Sequence, residues 1–145
     1  MSTPLEIAIS QLRTASQPAR SSAAFVSLCF EQSGEPLPNG FDFTDSAAGL
    51  IAARNADWLV SDPEPGDVVF LSSVGAAGGL ALPDDVGFVV SVLPGGRLDV
   101  LSGAGPLSDR VGRLAWHPGQ VVAYMRVPER GGPCWQNNLC PAGNK

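Results

Sequence analysis

Pro63-Glu64-Pro65-Gly66-Asp67-Val68-Val69-Phe70-Leu71 is where the chain changes character. Pro63, Pro65 and Gly66 signal a sharp turn, and the run from Asp67 to Leu71 reads as a strand. Before this stretch, apolar residues recur at helical spacing. After it they come in short runs separated by Gly and Pro. Helices first and antiparallel strands afterwards predict an α+β domain, with N-terminal helices packed on one face of an antiparallel sheet.

Working back from the turn, Trp58 and Leu59 form an apolar anchor. Thr44 or Asp45 is placed to cap a helix running to Ala53, with Leu50 and Ile51 on its buried side. The stretch 35–43 holds Pro36, Pro38, Asn39 and Gly40 and reads as loop. A helix from Ser21 or Ser22 presents Phe25, Val26, Cys29 and Phe30 on its apolar face and stops at Gly34. The first helix is announced by Thr3, Pro4 and Glu6: an N-cap, a first-turn proline and a capping-box partner. Leu5, Ile9 and Leu12 continue it as one stripe, and Gln17 and Pro18 close it.

Working forward, 75–79 is a Gly-rich insert, 86–92 a second strand, and Pro94-Gly95-Gly96 a turn into a strand over 98–101. The last strand falls at 121–127. Gly131-Gly132-Pro133 then sets off a tail, 129–145, in which Cys134, Trp135, Leu139 and Cys140 stand among polar residues. The organisation is one domain over 1–128 followed by this tail.

Composition narrows the function. The 145 residues include 44% hydrophobic and only 16% charged, against an average of about 25% charged. Seventeen Gly and 13 Pro predict many turns. A net charge of −5 argues against a general nucleic-acid grip, which needs clustered Lys and Arg. No apolar run approaches the roughly 20 residues that span a membrane. The N-terminus lacks a basic region followed by an apolar stretch, so the expectation is cytoplasmic synthesis without a signal peptide. Cys29, His117, Cys134 and Cys140 are the only Cys and His, and their spacing does not match a zinc site. No nucleotide or organic cofactor motif is visible. Cys134 and Cys140 close a small loop if the chain is exported and stay reduced if it is cytosolic.

The run Ser22-Ala23-Ala24-Phe25-Val26-Ser27-Leu28-Cys29-Phe30-Glu31-Gln32-Ser33-Gly34 resembles the active-site helix of CHAP and NlpC-type cell-wall amidases and peptidases, which are papain-like. Pro65-Gly66-Asp67-Val68-Val69-Phe70 resembles that family's strand start. Val86-Gly87-Phe88-Val89-Val90 resembles its next strand without the preceding His. Leu101-Ser102-Gly103-Ala104 and Tyr124-Met125-Arg126-Val127-Pro128 resemble its later elements. The matches keep the family's order and cover most of 21–128. The tail has no counterpart.

The family works through a Cys thiolate at a helix N-terminus, a His base and a polar residue that orients the His. The resemblance puts these roles on Ser22, Asp85 and Ala104, and none carries the family's residue. A Ser hydroxyl needs a general base within reach. Asp, with a reference pKa near 3.9, is a poor one unless burial raises it, and Ala104 orients nothing. Each position also has an ordinary structural reading: Ser21 or Ser22 as an N-cap, Asp84 and Asp85 in a solvated turn, Ala104 as a small loop residue. Cys29 reads as an inert buried thiol and His117 as a loop residue.

The expectation is therefore a catalytically degenerate domain with a structural or assembly role, since domains resembling this family occur in phage tails and contractile injection devices. Its protein partner would be held by Trp135 and Leu139. Two alternatives stand beside it. One is a non-catalytic binder of peptidoglycan peptides, with Trp58, Trp116 and Tyr124 as available aromatics. The other is a weak hydrolase using Ser22.

Overall fold

The computed structural model describes residues 3–13, 21–34, 37, 41, 43–75, 82–103 and 112–128. Three helices precede six strands: α1 (Pro4–Arg13), α2 (Ser22–Gln32), α3 (Ser46–Asn55), β1 (Leu59–Val60), β2 (Val68–Leu71), β3 (Asp85–Val92), β4 (Leu98–Ser102), β5 (Gly112–Trp116) and β6 (Val121–Met125). The strands form one sheet in the order β1-β6-β2-β3-β4-β5, and every pairing is antiparallel. The chain is thus a mixed α+β domain, helices first.

Local chemistry sets each helix start. The Thr3 N–H donates to Glu6 Oε1 at 2.8 Å, and the Glu6 N–H returns to Thr3 Oγ1 at 3.2 Å. This reciprocal box opens α1 with Pro4 at its first position. Ser21 Oγ caps α2 by accepting from the Ala24 N–H, and Asp45 Oδ1 caps α3 by accepting from Ala48. At the other end of α2, Gly34 takes φ +84°, a conformation other side chains rarely adopt.

The decisive turn forms as its residues require. The Asp67 N–H bonds the Glu64 carbonyl at 3.0 Å, with Pro65 second and Gly66 third at φ +96°. Pro in the second place and a positive-φ Gly in the third define a type II turn.

Alternation along the strands splits the sheet into two faces. Val68, Phe70, Val86, Phe88, Leu101 and Met125 pack under the helices with Phe25, Val26, Cys29 and Phe30. Val69, Leu71, Val89, Leu98, Val100 and Trp116 make a second, smaller core on the other face.

Several expectations need correction. Ile51 is 54% exposed, because the buried stripe of α3 runs through Ser46, Gly49, Leu50 and Ala53 and position 51 lies off it. That helix also runs on to Asn55. Asp85 is not in a solvated turn; it opens β3 and is 3% exposed. Strands β1 and β5 were not anticipated. The first has two residues, and the second exposes Arg113, Leu114 and Ala115 in a row, so neither shows the alternation that marks a strand. Both are sheet edges. Among the described residues no helix is long and apolar enough to cross a membrane.

Candidate functional site

Ser22 and Asp85, far apart in sequence, meet where α2 begins and β3 begins. Ser21 provides the cap, so Ser22 becomes the first residue of the helix and turns inward, 4% exposed. Its side chain lies by the Asp85 carboxylate and favours the charged form. The Val86 N–H donates to the same carboxylate, to Oδ1, at 2.9 Å.

Burial dominates the electrostatics of this pair. Loss of solvent pushes the Asp85 carboxyl up to about 6, against the pull of the Ser22 and Val86 hydrogen bonds, with Asp84 adding repulsion. Desolvation disfavours the charged form, and the two donors recover only part of that.

A cleft of about 320 Å³ opens beside the pair, lined by Ser21, Ser22, Thr44, Ser46, Pro83 and Asp84 among others. The first turns of α2 and α3 converge on it, so hydroxyls share its walls with Ala23, Ala47 and Pro83. Its acidic residues are already engaged. Asp45 caps α3, and Asp84 accepts from the Ser73 N–H at 2.9 Å and from the Ser73 hydroxyl. That clasp fixes Asp84 to the end of β2.

The remaining candidates lie elsewhere. Cys29 is fully buried in the helical core, and burial pushes its thiol up to about 12, so it holds no thiolate at neutral pH. His117 is exposed and caps the short helical turn Pro118–Gln120, its Nδ1 accepting from the Gly119 N–H at 3.0 Å. Trp58 and Trp116 are core residues and Tyr124 is partly buried. Ala104, Trp135, Leu139, Cys134 and Cys140 lie outside the described residues, as does the insert from 76 onward. Among the described residues, no group of three or more His, Cys, Asp or Glu is placed to hold a metal.

The sequence reading missed one cluster altogether. Arg126, after β6, grips Asp67 with a fork, Nε to Oδ1 at 2.9 Å and Nη2 to Oδ2 at 2.8 Å. The same Nη2 reaches the Asp62 carbonyl at 2.8 Å and Glu64 at 2.9 Å. The acidic residues around Pro63 and Pro65 were the available signal.

The site therefore belongs to an α+β domain in which a helix-start serine and a strand-start aspartate form a buried pair beside a cleft. The chain matches no protein-family model and no curated protein.

Proposed function

We propose that this chain is a catalytically degenerate CHAP/NlpC-like, papain-like domain that serves as a structural or assembly component, of the kind found in phage tails or contractile injection devices. One observation carries the reading. The motif resemblance gives Ser22 the nucleophile position and Asp85 the base position, and these two buried side chains lie close enough for Ser22 to stabilise the Asp85 carboxylate. Their proximity supports the correspondence, since a nucleophile position and a base position must lie side by side.

The chemistry of the pair favours a structural tie over catalysis. The Ser22 side chain is buried beside Asp85. A carboxylate whose conjugate acid titrates near 6 is too weak a base to strip an alcohol without further help. The described residues offer no imidazole lining this cleft and no accessible thiol, since His117 caps the turn before β6 and Cys29 is core.

A second reading, binding of a peptidoglycan peptide, is supported by the cleft of about 320 Å³ beside the pair, with its mixed polar and apolar walls. One experiment separates the readings. Purified cell wall is incubated with the full chain and with Ser22→Ala, and both release of soluble fragments and cosedimentation are followed. The expected result is no release by either protein and no cosedimentation. Release that Ser22→Ala abolishes would establish a hydrolase instead. Binding without release would favour the peptide-binding module.

A further inference from the structure

Asp62-Pro63 is the only Asp–Pro bond in the chain. Such a bond carries its own nucleophile, because the aspartyl carboxyl can close on its own main-chain carbonyl carbon in a five-membered ring. The nitrogen on the far side belongs to a tertiary amide and leaves as a secondary amine. To this local chemistry the fold adds a cation at the reacting atom. Arg126 Nη2 donates to the Asp62 carbonyl oxygen at 2.8 Å. That oxygen gains negative charge as the ring closes, so a donor already aimed at it lowers the barrier.

The donor is fixed in advance. Arg126 forks onto Asp67 through Nε at 2.9 Å and Nη2 at 2.8 Å, and the same Nη2 pairs with Glu64 at 2.9 Å. Arginine stays charged throughout the ordinary pH range. The chain is pinned on both sides of the bond as well. Leu59 and Val60 pair with Met125 and Tyr124, and the Glu64 N–H donates to Asp67 Oδ2 at 2.8 Å. Asp62 itself is exposed, and among the described residues no hydrogen bond holds its carboxyl, which leaves the nucleophile free to turn.

We infer that the folded chain cleaves itself between Asp62 and Pro63 in mild acid, with the Asp62 carboxyl as nucleophile and Arg126 as the oxyanion donor. The carboxyl oxygen attacks the Asp62 carbonyl carbon, the C–N bond to Pro63 breaks, and the carboxyl proton passes to the proline nitrogen. A cyclic anhydride remains on residue 62, and water opens it to two carboxyls. The net change is hydrolysis of one peptide bond. Mild acid is needed because the carboxyl supplies the proton, and aspartyl side chains hold theirs only as pH falls toward about 4. The cut parts the three helices and β1 from the other five strands, while the core between helices and sheet still joins the pieces. The inference does not rest on the functional reading above and survives if that reading fails.

The test incubates the full chain at about pH 4.5, where part of the carboxyl population is protonated. Mass spectrometry follows the appearance of fragments 1–62 and 63–145. The same chain in concentrated urea gives the intrinsic rate of the bond. The folded chain is expected to cleave at least about tenfold faster than that, less than the hundredfold effect of a donor in an enclosed site because Arg126 is partly exposed. Arg126→Met should fall to the urea rate, and Asp62→Asn should lose the reaction. Tryptophan fluorescence reports whether Arg126→Met is folded. Should it unfold, Asp67→Asn decides, because it keeps Arg126 and loosens the fork, and its cleavage should slow. A native chain that cleaves no faster than in urea would overturn the proposal and leave only a labile bond. So would a folded Arg126→Met, an Asp67→Asn or an Asp62→Asn that cleaves at the native rate.

Discussion

Asp85 is the residue whose environment does most to set how this protein responds to pH. Its carboxyl sits near 6 in the folded chain, above its ordinary value near 3.8. The folded state thus holds the proton more tightly than the unfolded state. The stabilising contribution is complete below about pH 4 and is lost as pH rises through about 6. The difference of about two units amounts to roughly 3 kcal/mol between those limits. Urea midpoints measured from pH 4 to 7.5 should show this fall in the native chain relative to Asp85→Asn, which cannot titrate. Parallel pH profiles for the two proteins would contradict it. In Ser22→Ala, carboxyl NMR should place Asp85 still higher, because a donor to the charged form has been removed. The identity of Ser22 and Asp85 as a candidate pair was legible from motif order. Their burial was not, since local sequence allowed Asp85 a place in a solvated turn.

At the scale of elements, the closest constraint lies between β3 and β4. A Cβ on Gly87 would stand 2.6 Å from the Leu101 carbonyl oxygen, 2.7 Å from Val100 Cγ1 and 2.9 Å from Ser102 Cβ. Backbone cannot yield there without opening the ladder in which Gly87 pairs Ser102. Gly87→Ala is expected to cost about 3 kcal/mol, at the upper end for overpacking, read as a lowered thermal midpoint. The helix starts were readable because a cap is a contact between neighbours in sequence: Thr3 with Glu6, Ser21 with Ala24, Asp45 with Ala48. Strand β5 was not readable because an edge strand owes its place to a partner. Its five residues pair residue for residue with Leu98–Ser102, and Arg113 bonds Asp99 across the pair.

For the molecule as a whole, Arg126 ties the end of the last strand to the turn that begins the sheet. It joins Asp67, Glu64 and the Asp62 carbonyl, residues far away in sequence. Asp67 is 5% exposed, so removing its partner leaves a nearly buried carboxylate supported by the Glu64 N–H alone among the contacts described above. Arg126→Met keeps the aliphatic stem and removes the charge. A loss of about 2 kcal/mol is expected, below the 3–5 typical of a fully buried pair because the guanidinium is partly exposed. Chemical denaturation at low and high salt measures it. The salt dependence of the native chain should shrink in the variant, and an unchanged midpoint would mean the tie contributes nothing.

The sequence by itself determined that three helices precede the strands, the capping box of the first helix, the starts of the next two to within a residue, and the Pro65-Gly66 turn into β2. These follow from periodicity and from contacts a few residues long, which neighbours dictate. Only the tertiary structure decided that Ser22 and Asp85 touch, that Asp85 is dry, that Ile51 faces solvent and that Arg126 closes on Asp67. Each depends on which distant segment covers a side chain. Burial and long-range pairing arise when the helices settle on the sheet, and no local pattern carries that information.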